Sequence, residues 1–352
     1  MNAAVASPAP PNGAAIFLHW REAQKNNPSG RGLGAQPLAV YQDIWNAWLE
    51  SLQNTALHDA TCGPAHTAPL ACEWHHAQTE DVARFLRIRA GQRAHHQPDR
   101  QLSEVTRRRY WRVLDRVYAY AVQQGWLARS PVTELPKTER PKAVDQLGHC
   151  LPPALWEQLP RQFPASDSLQ GARDRAILLL LYELALAPEE VRTLRDENLL
   201  DENRCAIALE ADLAPVALRI EGARKAQQRI LTLPPAVGAA LAAWLCYRRA
   251  HQPETNGLLF YSRKGGRPLS VRALFHVAAK IIHQAHAAQA PNSQTYPLQR
   301  VGPQVLRNTA IVQWLRAGMA EAEVVRRIGV DGVRALDHLR HQVAWPHALF
   351  SD

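Results

Sequence analysis

The run Ile177 to Leu184, ILLLLYEL, constrains the fold more than any other stretch of the chain. A surface helix keeps a polar face, and this segment has almost none, so it belongs at the centre of a core with other elements packed around it. Pro188 sits well at the first position of the next helix, with Glu189 and Glu190 in the first turn, where carboxylates favour the helix dipole. Farther on, Cys205 to Leu209, Val216 to Ile220 and Ile230 to Leu233 alternate or run apolar over short spans. They predict a small antiparallel sheet, the second pair flanking EGARKAQQR as a hairpin. Ala236 to Arg249 and Val271 to Ile282 read as helices, the latter entered through a turn and cap at Gly266, Pro268 and Ser270. The predicted class is mainly α with a small antiparallel β-sheet.

Ahead of this core the periodicity is helical. Residues 1–35, rich in Ala, Pro, Gly and Asn, read as a flexible arm with one short apolar patch at Ile16 to Trp20. From Gln36, Val40, Ile44, Trp48 and Leu52 recur at four-residue spacing and predict a helix with one apolar stripe. Thr79 is the expected N-cap of the next helix, with Glu80 and Asp81 in its first turn and Val82, Phe85, Leu86 and Ile88 on its buried side. Ser103 caps a further helix with Trp111, Leu114, Tyr118 and Ala121 on its apolar face, and Gly125 stops it. A chain of 352 residues has room for two domains, each with its own core. The expected division is a flexible N-terminal arm (1–35), a helical domain (36–132), a linker (133–150), a second domain (151–341) and a C-terminal tail (342–352).

Charge narrows the function. The net charge is +9 and the pI about 9.6, which suits a polyanionic partner. The placement says more: Arg84 to Lys142 holds fourteen Lys or Arg against five Asp or Glu, an excess equal to that of the whole chain. Arg107, Arg108, Arg109, Arg112 and Arg116 load three turns of the Ser103 helix beside one carboxylate, Asp115. Phosphate contact is the reading that density favours, with a solvated face as the alternative. No apolar run approaches the roughly 20 residues of a membrane span, and the N-terminus lacks the pattern of a signal peptide, so no membrane partner and a cytoplasmic setting are expected. Five cysteines without regular spacing argue against a disulfide framework. Cys62, His66, Cys72 and His75 match no standard zinc spacing and read as an irregular loop, so neither metal nor cofactor is expected.

Two longer stretches carry a family likeness. Leu102 to Val132 follows L-S-x-x-T-x-x-R-x-x-x-x-L-x-x-x-Y-x-x-A-x-x-x-G-W-L-x-x-N-P-V, with Ser130 at the Asn. PQVLRNTAIVQWLRAG, from Pro303, follows P-H-x-L-R-H-x-x-A-x-x-L-x-x-A-G, and RRIGVDGVRALDHLRH, from Arg326, follows L-L-G-H-x-x-x-x-T-x-x-Y-x-H. Between them, ARDRAILLLLYELALAPEEVRTLRDENL, from Ala172, resembles R-D-x-A-L-L-x-L-x-x-x-T-G-L-R-x-S-E-L-x-x-L-x-x-x-D-I. These blocks resemble the tyrosine recombinase (phage integrase) family. The resemblance implies a helical core-binding (SAM-like) domain, a linker that crosses the DNA and a recombinase catalytic-type domain.

The resemblance also implies where the chemistry would sit. The first catalytic Arg position is held by Ala187, and the His, Arg, His and nucleophilic Tyr positions by Gln304, Arg307, Val330 and Leu339. The hairpin Lys position falls on Arg224 when counted back from Arg229, and on Lys225 after a one-residue shift. Strand exchange needs a hydroxyl nucleophile and transition-state donors around the phosphate, and all eight tyrosines precede Arg307. The expectation is therefore no catalytic residue and no enzyme: a DNA-binding pseudoenzyme gripping double-stranded DNA through Arg107, Arg108, Arg109, Arg112, Arg116, Arg224, Lys225, Arg229, Arg263, Lys264, Arg267 and Arg307. For Arg307 a structural salt bridge to Glu190 is the competing reading. A nucleoid-associated regulator or architectural accessory of a mobile element is the leading expectation. The rivals are a non-catalytic subunit working beside an active recombinase, and a helical interaction module that no longer binds DNA. Trp345 and Phe350 in the tail would anchor a homo-oligomer or an active recombinase partner, with a tail packed on its own domain as the alternative.

Overall fold

The structure, a computed structural model, describes residues 9–25, 35–60, 73–87, 103–141, 147–207, 213–251, 257–262, 267–289 and 298–343. It divides into two compact units, Met1–Asp145 and Gln146–Asp352.

The first unit is helical: α1 (Gly13–Lys25), α2 (Ala35–Ala60), α3 (Thr79–Arg87) and α4 (Glu104–Gln123). Its core is built on aromatic rings, with Trp20, Trp45, Trp48, Trp74, Phe85 and Tyr118 all buried. Buried rings with polar tips need partners. The Tyr118 hydroxyl donates to Trp74 O at 2.7 Å and accepts from Trp48 Nε1 at 3.2 Å, while Trp45 Nε1 donates to Gly13 O and Trp74 Nε1 to Pro11 O. Two indoles thus pin the chain just before and at the start of α1, and Ile16, Phe17 and Trp20 are sunk in the core. This corrects the expected flexible arm where it is described: the i, i+1, i+4 apolar patch lies on a helix, Gly13–Lys25, that belongs to the core, while residues 1–8 and 26–34 lie outside the described residues.

Smaller corrections follow. Val40 is exposed at 37%, and the buried stripe of α2 runs instead through Leu38, Ile44, Trp45, Trp48 and Leu52. Thr79 is the first helical residue of α3 and not its cap; the free N–H of Gln78 is taken by the Asp81 carboxylate at 2.9 Å. Ser103 does cap α4, accepting from Thr106 N at 3.3 Å, and Gly125 leaves the helix at φ 74°, a left-handed value that glycine adopts without strain. Ile88, Cys62, His66 and Cys72 lie outside the described residues. Among the described residues no group of three or more His, Cys, Asp or Glu is assembled for a metal ion.

The second unit is organised on α6 (Leu169–Glu183), capped by Ser168 Oγ, which accepts from Gly171 N at 3.1 Å. Ile177, Leu178, Leu180 and Leu181 are 0% exposed, as a helix without a polar face requires. Packed with it in one core are α5 (Pro153–Gln158), α7 (Pro188–Thr193), α8 (Pro235–His251), α9 (Val271–Ala287), α10 (Pro303–Arg316) and α11 (Glu321–Ile328). Ser270 caps α9, as the turn signal predicts. The short 3-10 stretch Val333–Leu339 and α12 (Arg340–Val343) follow α11. A three-stranded antiparallel sheet, β1 (Leu199–Leu200), β2 (Ala217–Ile220) and β3 (Arg229–Thr232), lies in that order, with Ile220 opposite Arg229 across the hairpin. The edge strand corrects the expectation at Cys205 to Leu209: of that span, residues 208–209 are not described and Ala206 makes only an isolated bridge to Leu200.

The expected linker is partly structure at both ends. Val132 and Leu135 are buried in the first unit, and Arg140 donates to Leu135 O and Thr133 O. Gly148 N donates to His338 O at 2.7 Å and Leu151 N to Thr309 Oγ1 at 2.9 Å, within the second unit. Residues 142–146 are not described, nor are Trp345 and Phe350 of the tail. No helix among the described residues is long and apolar enough to cross a membrane.

Candidate functional site

One carboxylate organises the second unit's candidate pocket. Glu190 stands in the first turn of α7 and reaches back to the free N–H of Ala187 at 2.7 Å. Its oxygens also accept from Arg229 Nη1 at 2.7 Å and Nη2 at 3.1 Å, while Arg307 Nη1 lies 3.6 Å away. Two guanidinium groups therefore share one acid in a largely buried setting: side-chain exposures are 5% for Arg229, 9% for Arg307 and 15% for Glu190. Arg229 further donates to Arg327 O at 2.6 Å, and Arg307 to Ala185 O and to Ile328 O at 3.0 Å. Burial holds the Arg307 pKa down at about 10; Glu190 pulls it up and Arg229 pushes it further down.

Two of the expected DNA-contacting residues, Arg229 and Arg307, thus direct hydrogen bonds at Glu190 and at backbone carbonyls, and the Arg307–Glu190 ion pair of the competing reading is present at 3.6 Å. The sequence places these residues but does not tell which side of Glu190 faces solvent.

The other positions singled out in the sequence take separate environments. Ala187 sits at the N-cap of α7. Gln304 is exposed on α10, its amide donating to Asn308 Oδ1 at 2.9 Å, and Asn308 in turn donates to His149 O. Val330 follows the left-handed Gly329 that ends α11 and packs against the core. Leu339 is 0% exposed. The backbone of Gly148 covers it so closely that a Cβ there would fall 2.4 Å from Leu339 Cδ2. Beside this floor His338 is half-buried, and burial, with a smaller push from Arg307, lowers its pKa. His338 is a weak candidate nucleophile in the sequence, and Asn198 carries no signal there as a site residue.

Cations that do face solvent lie on the hairpin and on α4. Arg224 is exposed and pairs with Asp331 at 2.6 Å. Lys225, also exposed, makes no ion pair among the described residues. On α4, Arg109, Arg112 and Arg116 are exposed at i, i+3 and i+7, one helical face. Arg116 also stacks over Tyr41, 5.8 Å from the ring centroid. Arg107 is drawn aside by Glu104 and by Glu139 O, and Arg108 is partly buried, so the five arginines do not form a single face. Arg267 is exposed, while Arg263 and Lys264 lie outside the described residues.

No protein-family model matches the chain. No curated protein matches it either. The likeness to known proteins is three-dimensional. The XerH site-specific recombinase bound to its difH substrate in a pre-cleavage complex is 16% identical, with a TM-score of 0.59 over 96% of this chain and 95% of that one. The Tn1549 transposon integrase in complex with a circular intermediate DNA is 14% identical, with a TM-score of 0.58 over 96% of each chain. A lambda integrase dimer bound to a COC' core site is 10% identical, with a TM-score of 0.52 over 95% of this chain and 80% of that one. At such identities the likeness is one of fold: the chain has the architecture of the tyrosine recombinases and integrases, mainly helical with a small antiparallel sheet.

Proposed function

We propose that this chain binds duplex DNA on a recombinase-type scaffold and leaves it uncut, acting as a regulator or an architectural accessory of a mobile element. The observation that carries this reading is the closure of the pocket: Leu339 lies in the core beneath Gly148, and Arg307 is turned inward onto Glu190, Ala185 O and Ile328 O. Cleavage through a phosphotyrosine link needs a hydroxyl, and Leu339 has none. Losing one transition-state donor typically costs about a hundredfold or more in rate. Here Ala187 and Val330 offer no side-chain donor at all, and Gln304 cannot exchange a proton near neutral pH.

Affinity for phosphate needs less. Arg109, Arg112 and Arg116 on α4, Lys225 on the hairpin and Arg267 remain open to solvent, and each phosphate neutralised steepens the salt dependence by roughly 0.9 in log–log slope. The XerH, Tn1549 integrase and lambda integrase structures with this fold were determined on DNA, which supports the same use here. The test is a gel shift on genomic fragments beside a nicked suicide substrate. Retarded duplex without a covalent adduct is expected. An adduct ends the non-cutting reading, and absence of any shift at low ionic strength ends the DNA-binding one.

A further inference from the structure

Along α9 the cations fall on one side. The helix is 17 residues long and contains no Asp or Glu. Arg272, His276, Lys280 and His283 are all exposed. At about 3.6 residues per turn they lie within an arc of roughly 80° and span about 16 Å of helix. The opposite side, with Leu274, Ala278, Ile281, Ile282 and Ala285, is buried in the core, which turns the basic stripe outward. Arg267, also exposed, stands just ahead of the helix and prolongs the stripe. His286, near the helix end, is partly buried.

The carboxylates on the elements packed against α9 are directed elsewhere. Asp174 of α6 borders the same cavity as Lys280 but is taken by Arg173 at 2.7 Å. On α7, Glu189 pairs with Arg192 and Glu190 with Arg229. Glu183 of α6 and Glu157 of α5 act on Tyr182, whose pKa burial and these two charges raise. Among the cations there, Arg175 donates to Pro164 O, Arg316 to Gln342 O, and Arg161 is exposed. Neither His276 nor His283 makes an ion pair among the described residues. One contact is made inside the stripe: Arg272 Nε donates to His276 Nε2 at 3.3 Å. An accepting ring nitrogen belongs to a neutral imidazole; once protonated it becomes a donor, and the two side chains part.

We propose that the exposed face of α9 grips the phosphate backbone of duplex DNA in a proton-dependent way: the fixed charges of Arg272 and Lys280 are joined by those of His276 and His283 as the pH falls. Histidine changes charge between about pH 5 and 8, a range in which phosphodiesters stay ionised, so acid strengthens the protein side alone. Two phosphates newly neutralised steepen the salt dependence by roughly 1.8 in log–log slope. Protonation of His276 also releases Arg272 towards the partner. Charge complementarity selects a polyanion, and continuity with Arg267, a cation already assigned to duplex contact, selects DNA among polyanions. The inference rests on the duplex-binding reading and adds a regulator to it, the proton.

The test is a salt titration of the full chain on a mixed-sequence duplex of about 30 base pairs, at about pH 7.5 and about pH 5.5. Affinity at fixed salt is expected to rise at least tenfold in acid, with the steeper slope. The double variant His276→Gln, His283→Gln changes two exposed positions where folding is not at stake, and it should bind like the parent at the higher pH and lose most of the acid gain. His276→Lys with His283→Lys should bind at the higher pH as the parent does in acid. If the parent shows no acid gain, if the glutamine variant keeps all of it, or if the lysine variant binds no tighter than the parent at the higher pH, the inference is overturned while duplex binding stands. If the parent binds at neither pH even at low ionic strength, the duplex-binding reading falls and takes the inference with it.

Discussion

Glu190 holds two arginines with one carboxylate, and its removal tests how much of the second unit depends on that arrangement. Breaking a buried ion pair from one side typically costs about 3–5 kcal/mol, because the charge left behind is uncompensated. Glu190→Ala leaves two buried guanidinium groups facing each other, so a loss at the upper part of that range is expected in urea unfolding. His338 gives a pH prediction. Its pKa is lowered by burial, so the unfolded chain takes up a proton near pH 6.5 and the folded one only at lower pH. Stability from this group is therefore complete above about pH 6.5 and declines as the pH falls below it. Thermal melts between pH 7 and 5 should show that decline, and His338→Gln should flatten it. At this scale the sequence was legible where a side chain acts on its own backbone, as with the caps at Ser103 and Ser270. It was illegible where a side chain chooses between solvent and interior: Arg229 and Arg307 look like phosphate ligands by type, and only the position of Glu190 turns them inward.

The hairpin between β2 and β3 shows the same choice one level up. Its Arg224 is held by Asp331, just after α11, while Lys225 is left to the solvent. An exposed pair of this kind contributes little to stability, typically about 0–1 kcal/mol, yet it withdraws a cation from any polyanion that approaches. Asp331→Asn is therefore expected to leave the melting temperature nearly unchanged. It should raise duplex affinity two- to fivefold and steepen the salt dependence by roughly one phosphate's worth, read from titrations at several salt concentrations. An unchanged slope would mean that Arg224 never reaches the backbone. Helices were the readable elements: α6 from its apolar run, and α4 and α9 from cap and periodicity. Strands were less so, because Leu199–Leu200 is two residues long and carries no alternation, whereas Cys205 to Leu209 offers a better local pattern and its described residues, 205–207, make only an isolated bridge. Composition also misled at α1, where flanking Ala, Pro and Asn outweighed three buried apolar side chains.

Taken whole, the molecule holds two separate cores, one built on stacked and edge-on indoles around Tyr118 and the other on the leucines of α6. Each has the buried apolar content of an independent domain, so residues 1–145 and 146–352 expressed apart should each melt cooperatively, as followed by near-ultraviolet circular dichroism. Loss of cooperativity in either piece would show that its core is completed by the other. The close approach of Gly148 to Leu339 limits what position 339 can hold. A phenol ring introduced by Leu339→Tyr meets a backbone already in contact with the smaller side chain, and overpacking of this kind typically costs about 1–3 kcal/mol. The variant should therefore be less stable and still form no adduct with a nicked duplex. Seating a phenol at position 339 would require the 147–151 segment to give way first, so a single codon change cannot install one there, like a lodger too tall for a room whose ceiling is already fixed.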